Sequence, residues 1–114
     1  WRIDMNKTLA IMDQPYRNQY DSSTSVRDSV NLLMGDREYI VSENGELRIN
    51  SVGAQGRESS KGRWNFDNVP GDLLFFTGSD STLYEHKFLL SRVLKLSAKN
   101  RSGYMRNLYL VRID

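Results

Sequence analysis

From Arg37 onward the chain is a succession of short apolar and aromatic runs, each ended by a turn signal. That rhythm constrains the fold more than any other feature. Residues 37–42 (REYIVS) and 46–52 (ELRINSV) flank Asn44 and Gly45, a dipeptide that tolerates positive φ at both positions and suits the tight turn between twisted strands. Residues 61–67, with Trp64 and Phe66 on one face, lead through Val69, Pro70 and Gly71 into 72–77, a second predicted hairpin. Gly78 to Ser81 breaks the chain again; 82–90 and 92–98 follow with a tight junction at Ser91, and Asn100 to Gly103 turns into 104–113. Seven strands are predicted here. Trp1, Ile3 and Met5 alternate with Arg2 and Asp4, so residues 1–5 supply an eighth. Three Ala against six Tyr, four Phe and two Trp agree with strands rather than helices.

The insertion between the first strand and the first hairpin has another character. Val26, Val30, Leu33 and Met34 fall at i, i+4, i+7 and i+8, a helical stripe, with Ser25 and Asp28 at its start and Gly35 at its end. The spacing predicts a helix over 25–34. A weaker helical turn is expected near 7–12, while 14–23, with Pro15 and a polar tail, is expected as loop, as is the polar stretch 53–60.

Consecutive strands with short connections suit an antiparallel meander, and such a sheet removes its exposed edges by closing on itself. The expected fold is therefore a mainly β, eight-stranded, antiparallel up-and-down barrel in one domain, with a short helix inserted between the first and second strands. An open sandwich of the same strands is the rival. A barrel of this strand number either fills with side chains or holds one small ligand.

Composition removes whole classes of function. No Cys and a single His exclude thiol chemistry, disulfides and any multi-His or Cys metal centre. Eleven Arg and five Lys against fourteen acidic residues leave a net charge of +2, spread along the chain without blocks. Nucleic acid is not an expected partner, because no basic and aromatic face stands clear of acidic neighbours. No apolar run approaches the ~18 residues of a membrane span. No nucleophile frame surrounds any Ser, and no two carboxylates share an apolar setting, so no enzymatic activity, cofactor or metal is expected.

The aromatic strand with its Asn-Gly turn from Tyr39 to Gly45, the G-x-W run from Gly62 to Trp64, the L-x-L pair Leu94 and Leu96, and the closing strand Tyr109 to Ile113 occur in a familiar order. Glu38 to Ile113, about two thirds of the chain, resembles the small bacterial lipocalin-like domains of the calycin superfamily. In that pattern a Trp on the first strand lies under an Arg of a late strand, and Trp1 and Arg112 would fill those places. The glycine that the pattern sets two positions before the Trp would precede residue 1. The resemblance implies a secreted or envelope-attached protein, often a lipoprotein, in the periplasm or at the outer membrane. It also implies an apolar ligand cavity and no catalysis.

If the barrel carries a ligand, the candidate residues around its mainly apolar cavity are Tyr39, Trp64, Phe76, Tyr84, His86, Phe88 and Leu94. His86 shares a face with Tyr84 and Phe88; it is either a polar anchor in a cavity or a strand histidine packed among aromatics or facing water. Gly62 in its strand marks a kink or a close backbone approach. The expected function is non-enzymatic carriage of a small apolar or lipid-like molecule in the barrel. The alternative is a solid barrel that docks another protein of the bacterial cell envelope.

Overall fold

The computed structural model describes residues 1–53, 56–66, 71–90 and 92–113. Its eight strands close in sequence order into an antiparallel barrel. β1 is Arg2–Ile3, β2 Glu38–Val41, β3 Glu46–Gly53, β4 Gly56–Phe66, β5 Asp72–Thr77, β6 Asp80–Leu90, β7 Val93–Ala98 and β8 Asn107–Val111. Arg2 stands opposite Val111 and Ile3 opposite Leu110, so the first strand pairs with the last and the open sandwich is excluded. The same register extended by one residue sets Trp1 across from Arg112. Parts of two expected connections, Val69 with Pro70 and the Ser91 junction, lie outside the described residues.

Three helices, α1 (Met5–Ile11), α2 (Gln14–Ser22) and α3 (Thr24–Gly35), stand between β1 and β2. The last of these matches the predicted stripe, capped by Ser23, whose hydroxyl accepts from the Val26 N–H. Two expectations are corrected around it. The first strand is short because Asp4 caps α1, its carboxylate accepting from the Lys7 N–H, so Met5 is helical. Of the expected loop 14–23, residues 14–22 are helix: Pro15 occupies the first turn, where a missing N–H costs nothing, and Tyr20 buries itself while its hydroxyl donates to Asn31.

A third correction concerns 53–60. Gly53 and residues 56–60 extend the β3–β4 hairpin, with Gly53 opposite Gly56 and the Ser59 hydroxyl donating to the Asn50 side-chain Oδ1; residues 54–55 lie outside the described residues. Both faces of this extension lie in water on the β4 side, so no hydrophobic alternation betrays a strand.

Helix α1 replaces strand β1 along the upper half of β8. Once β1 ends at Ile3, the Tyr109 N–H would lose its ladder partner; the hydroxyl of Thr8, wholly buried, accepts it at 3.0 Å instead. The Asn107 amide donates to the Ile11 carbonyl one turn further on. The Tyr109 N–H and the Ile11 carbonyl, the latter through the Asn107 side-chain Nδ2, are thus satisfied at the seam without a full-length first strand. The helices gather at the end of the barrel where β1 stops and β2 starts, hereafter the upper end. The Asn44-Gly45 turn is at the lower end.

Leu108 and Leu110 face inward and are fully buried, which settles the orientation of the last strand. With Leu47, Leu94 and Leu96 they fill the middle of the barrel, joined at the upper end by Val30 and Met34 of α3. The core is solid across this layer.

Candidate functional site

The filled middle divides the interior into two unequal ends, and the predicted ligand residues separate with it. Tyr39 and Tyr84 point into the upper end and Leu94 lies in the solid layer. Trp64, His86 and Phe88 point toward the lower mouth. Phe76 takes the opposite side of β5 from buried Phe75 and faces outward beside Arg63. The seven therefore do not line one cavity.

At the lower mouth the inward aromatic residues form a continuous row. Trp64 meets Phe66 edge to face at 5.3 Å between ring centroids, Phe66 meets His86 at 5.5 Å, His86 meets Phe88 at 5.9 Å and Phe88 meets Trp1 at 6.2 Å. The Trp64 indole N–H donates to the Ser42 carbonyl. His86 Nδ1 lies 2.7 Å from the Gly71 carbonyl oxygen, which can only accept, so Nδ1 carries the proton. This is the packed strand histidine of the two readings given above. Phe66 and Phe88 remain 56% and 57% exposed.

The upper end holds a chamber of about 290 Å³. Its floor is aromatic: Phe75 lies between Tyr39 (6.1 Å) and Tyr84 (5.2 Å, edge to face), with Ile49 and Ala98 completing it. Its rim is polar. Thr77 and Asp80 from the β5–β6 turn, Arg101 and Met105 from the β7–β8 loop, and Arg37 at the entrance to β2 surround the opening. Arg37 Nε donates to the Tyr39 hydroxyl at 2.8 Å, and its guanidinium carbon lies 5.4 Å from that ring centroid. Arg101 is paired with Asp80 at 3.3 Å, and Arg106, also in the lining, with Asp13 at the N-terminal cap of α2 at 3.0 Å. Larger, more open clefts lie near the Asn44-Gly45 turn, lined by residues such as Arg48 and Lys61, and along α3, lined by Val26, Val30 and Leu33 with Tyr104.

Sequence reasoning found the chamber floor in part and missed its rim, because the candidate residues were drawn from aromatic and apolar side chains and the one histidine. A signal was present: Arg37 and Tyr39 are two apart in the predicted strand 37–42, so the alternation that turns Tyr39 inward turns Arg37 the same way.

Burial raises the pKa of both floor phenols above the ordinary value of 10.0, against a smaller opposing pull from the positive charge of Arg37. Both therefore stay protonated in the fold where free tyrosine ionises. The unfolded chain loses these protons near pH 10 and the native chain does not, so stability is full below that pH and falls as pH rises above it. The expected slope reaches about 1.4 kcal/mol per pH unit for each phenol. Urea midpoints measured from pH 9 to 11.5 check this, and the slope should shrink in Tyr84→Phe. Equal slopes in the two proteins would show that Tyr84 ionises freely.

No family model, curated protein or solved structure matches the chain. Among the described residues, no helix is long and apolar enough to cross a membrane.

Proposed function

We propose that this chain is a non-catalytic binding protein that holds a small molecule in the upper chamber of its barrel. The observation that carries this reading is the chamber itself: about 290 Å³ of space with an aromatic floor and a polar rim, above a middle layer that is otherwise packed solid. Concave sites with apolar floors and a few placed polar groups are the usual form of small-molecule pockets, at roughly 300–1,000 Å³. A chamber at the lower bound suits a compact ligand. It is too short for a lipid tail running the length of the barrel, since Leu96, Leu108 and Leu110 block the way. The closed antiparallel barrel in simple strand order supports kinship with the lipocalin-like calycins. Periplasmic or outer-membrane residence as a bacterial lipoprotein rests on the sequence resemblance alone.

A second reading, docking of another envelope protein, is favoured by the lower mouth, where Phe66 and Phe88 are more than half exposed. One experiment separates the two. In a fragment-library screen followed by amide chemical shifts, ligands should perturb Tyr39, Phe75, Tyr84 and Ala98 together. Perturbations confined to Phe66 and Phe88, or none across the library, would remove the chamber as a binding site.

A further inference from the structure

Charge around the chamber is unevenly compensated. Of the three arginines in its lining, Arg101 is neutralised by Asp80 and Arg106 by Asp13. Arg37 forms no ion pair among the described residues, and its one side-chain hydrogen bond there runs from Nε to the Tyr39 hydroxyl. That bond fixes the plane of the guanidinium and leaves both Nη groups to bond something else. With Asp80 as the acidic group in the lining and Asp13 behind Arg106, the rim has one positive charge in excess. A half-buried guanidinium of fixed orientation, beside an aromatic floor, is matched in geometry by a carboxylate, which accepts two parallel N–H bonds.

We infer that the chamber binds a compact organic monocarboxylate, its carboxylate on the Nη groups of Arg37 and its apolar body on the rings of Tyr39, Phe75 and Tyr84. The inference rests on the chamber being the binding site and adds the class of ligand. The size follows from the volume, which equals about ten waters at roughly 30 Å³ each and so admits an aryl or short alkyl acid. The single charge follows from the count above, since a dianion would leave a second negative charge facing Asp80 across the rim. Tyr84 contributes a donor: its phenol remains protonated, and the charges of Arg37 and Arg101 both act on it. An anion in the chamber would therefore meet an O–H as well as the guanidinium.

The test titrates the whole chain at pH 7 with butyrate, hexanoate, benzoate and phenylacetate, and in parallel with the neutral amide of each, following amide shifts of the chamber residues. At least one acid is expected to bind at least tenfold tighter than its amide, with shifts at Arg37, Tyr39 and Tyr84. Arg37→Met should reduce that preference to under threefold while leaving the weak binding of the amide in place. Arg37→Lys should recover only part of it, since an ammonium keeps the charge but loses the paired donors. If amides bind as tightly as acids, or if Arg37→Met retains the preference, the carboxylate inference falls and the chamber reading stands. If neither acids nor amides shift the chamber, both fall. A folded spectrum of Arg37→Lys guards against loss through unfolding alone.

Discussion

Gly62→Ala is expected to destabilise the protein by about 3 kcal/mol or more, or to prevent folding, although it adds a single methyl group to an exposed strand. A Cβ at residue 62 would lie 1.8 Å from the Phe76 carbonyl oxygen and 3.0 Å from its carbon. Both are backbone atoms of the neighbouring strand and cannot rotate away. The obstacle is close approach and not torsion, since the positive-φ glycines of the chain are elsewhere. To admit the methyl group, β4 and β5 must separate where Gly62 faces Thr77 and Arg63 faces Phe76, which breaks their ladder. Overpacking of a well-packed interior costs typically about 1–3 kcal/mol and more when the backbone must move. Gly35→Ala is the control: nothing lies within 4 Å of its added Cβ at the end of α3, so it should gain about 0.5–1 kcal/mol. Urea denaturation followed by Trp fluorescence checks both. Coincident midpoints for Gly62→Ala and the parent chain would mean that the two strands do not approach as described.

The same glycine shows what kind of information the sequence carries. A Gly between polar residues and an aromatic strand marks close packing because no other residue has that reason to be there, and the reading needs no knowledge of the partner. The strands were legible for a similar local reason: aromatic and β-branched runs bounded by Asn-Gly and Gly turns can pleat and half-bury themselves in few ways. Helix α2 was not legible, since its apolar content amounts to Pro15, Tyr16 and Tyr20, and its stability comes from outside. Tyr16 packs edge to face on Tyr104 of the β7–β8 loop at 5.0 Å, and Asp13 at its start is held by Arg106. Propensity cannot register partners ninety residues away. The site failed for a related reason. Alternation identifies which residues face inward, but a barrel interior has a length as well as a face, and Tyr84, His86 and Phe88 on one side of one strand end in a chamber, a ring stack and an open mouth. Height along the axis depends on strand stagger, which is a property of the closed sheet.

Met34→Ala carries the second large effect, and it joins the helical insertion to the chamber. Val26, Val30, Leu33 and Met34 form one stripe in the sequence, yet the structure uses them unequally: Met34 is 0% exposed and Val30 nearly so, whereas Leu33 is 42% exposed. The helix packs against β3 along the buried side. Truncating a fully buried Met costs roughly 2–5 kcal/mol, because the lost transfer energy is joined by the cavity left behind, so about 3 kcal/mol is expected for Met34→Ala. Leu33→Ala should stay within ~0.5 kcal/mol. The consequence for binding follows from chain connectivity. Helix α3 ends at Gly35, Arg37 follows two residues later, and the Arg37 N–H donates to the Met34 carbonyl at 3.4 Å. A helix that loosens at Met34 lets the guanidinium leave the rim, while the aromatic floor, built on β2, β5 and β6, keeps its place. Met34→Ala is therefore expected to weaken carboxylate binding at least fivefold under conditions where the chain is still fully folded, with little change in the binding of the matching amide. Urea midpoints and the same paired titrations measure the two effects separately. An unchanged midpoint would show that the helix does not seal the barrel through this side chain, and an unchanged acid preference at a lowered midpoint would show that Arg37 is held by β2 alone.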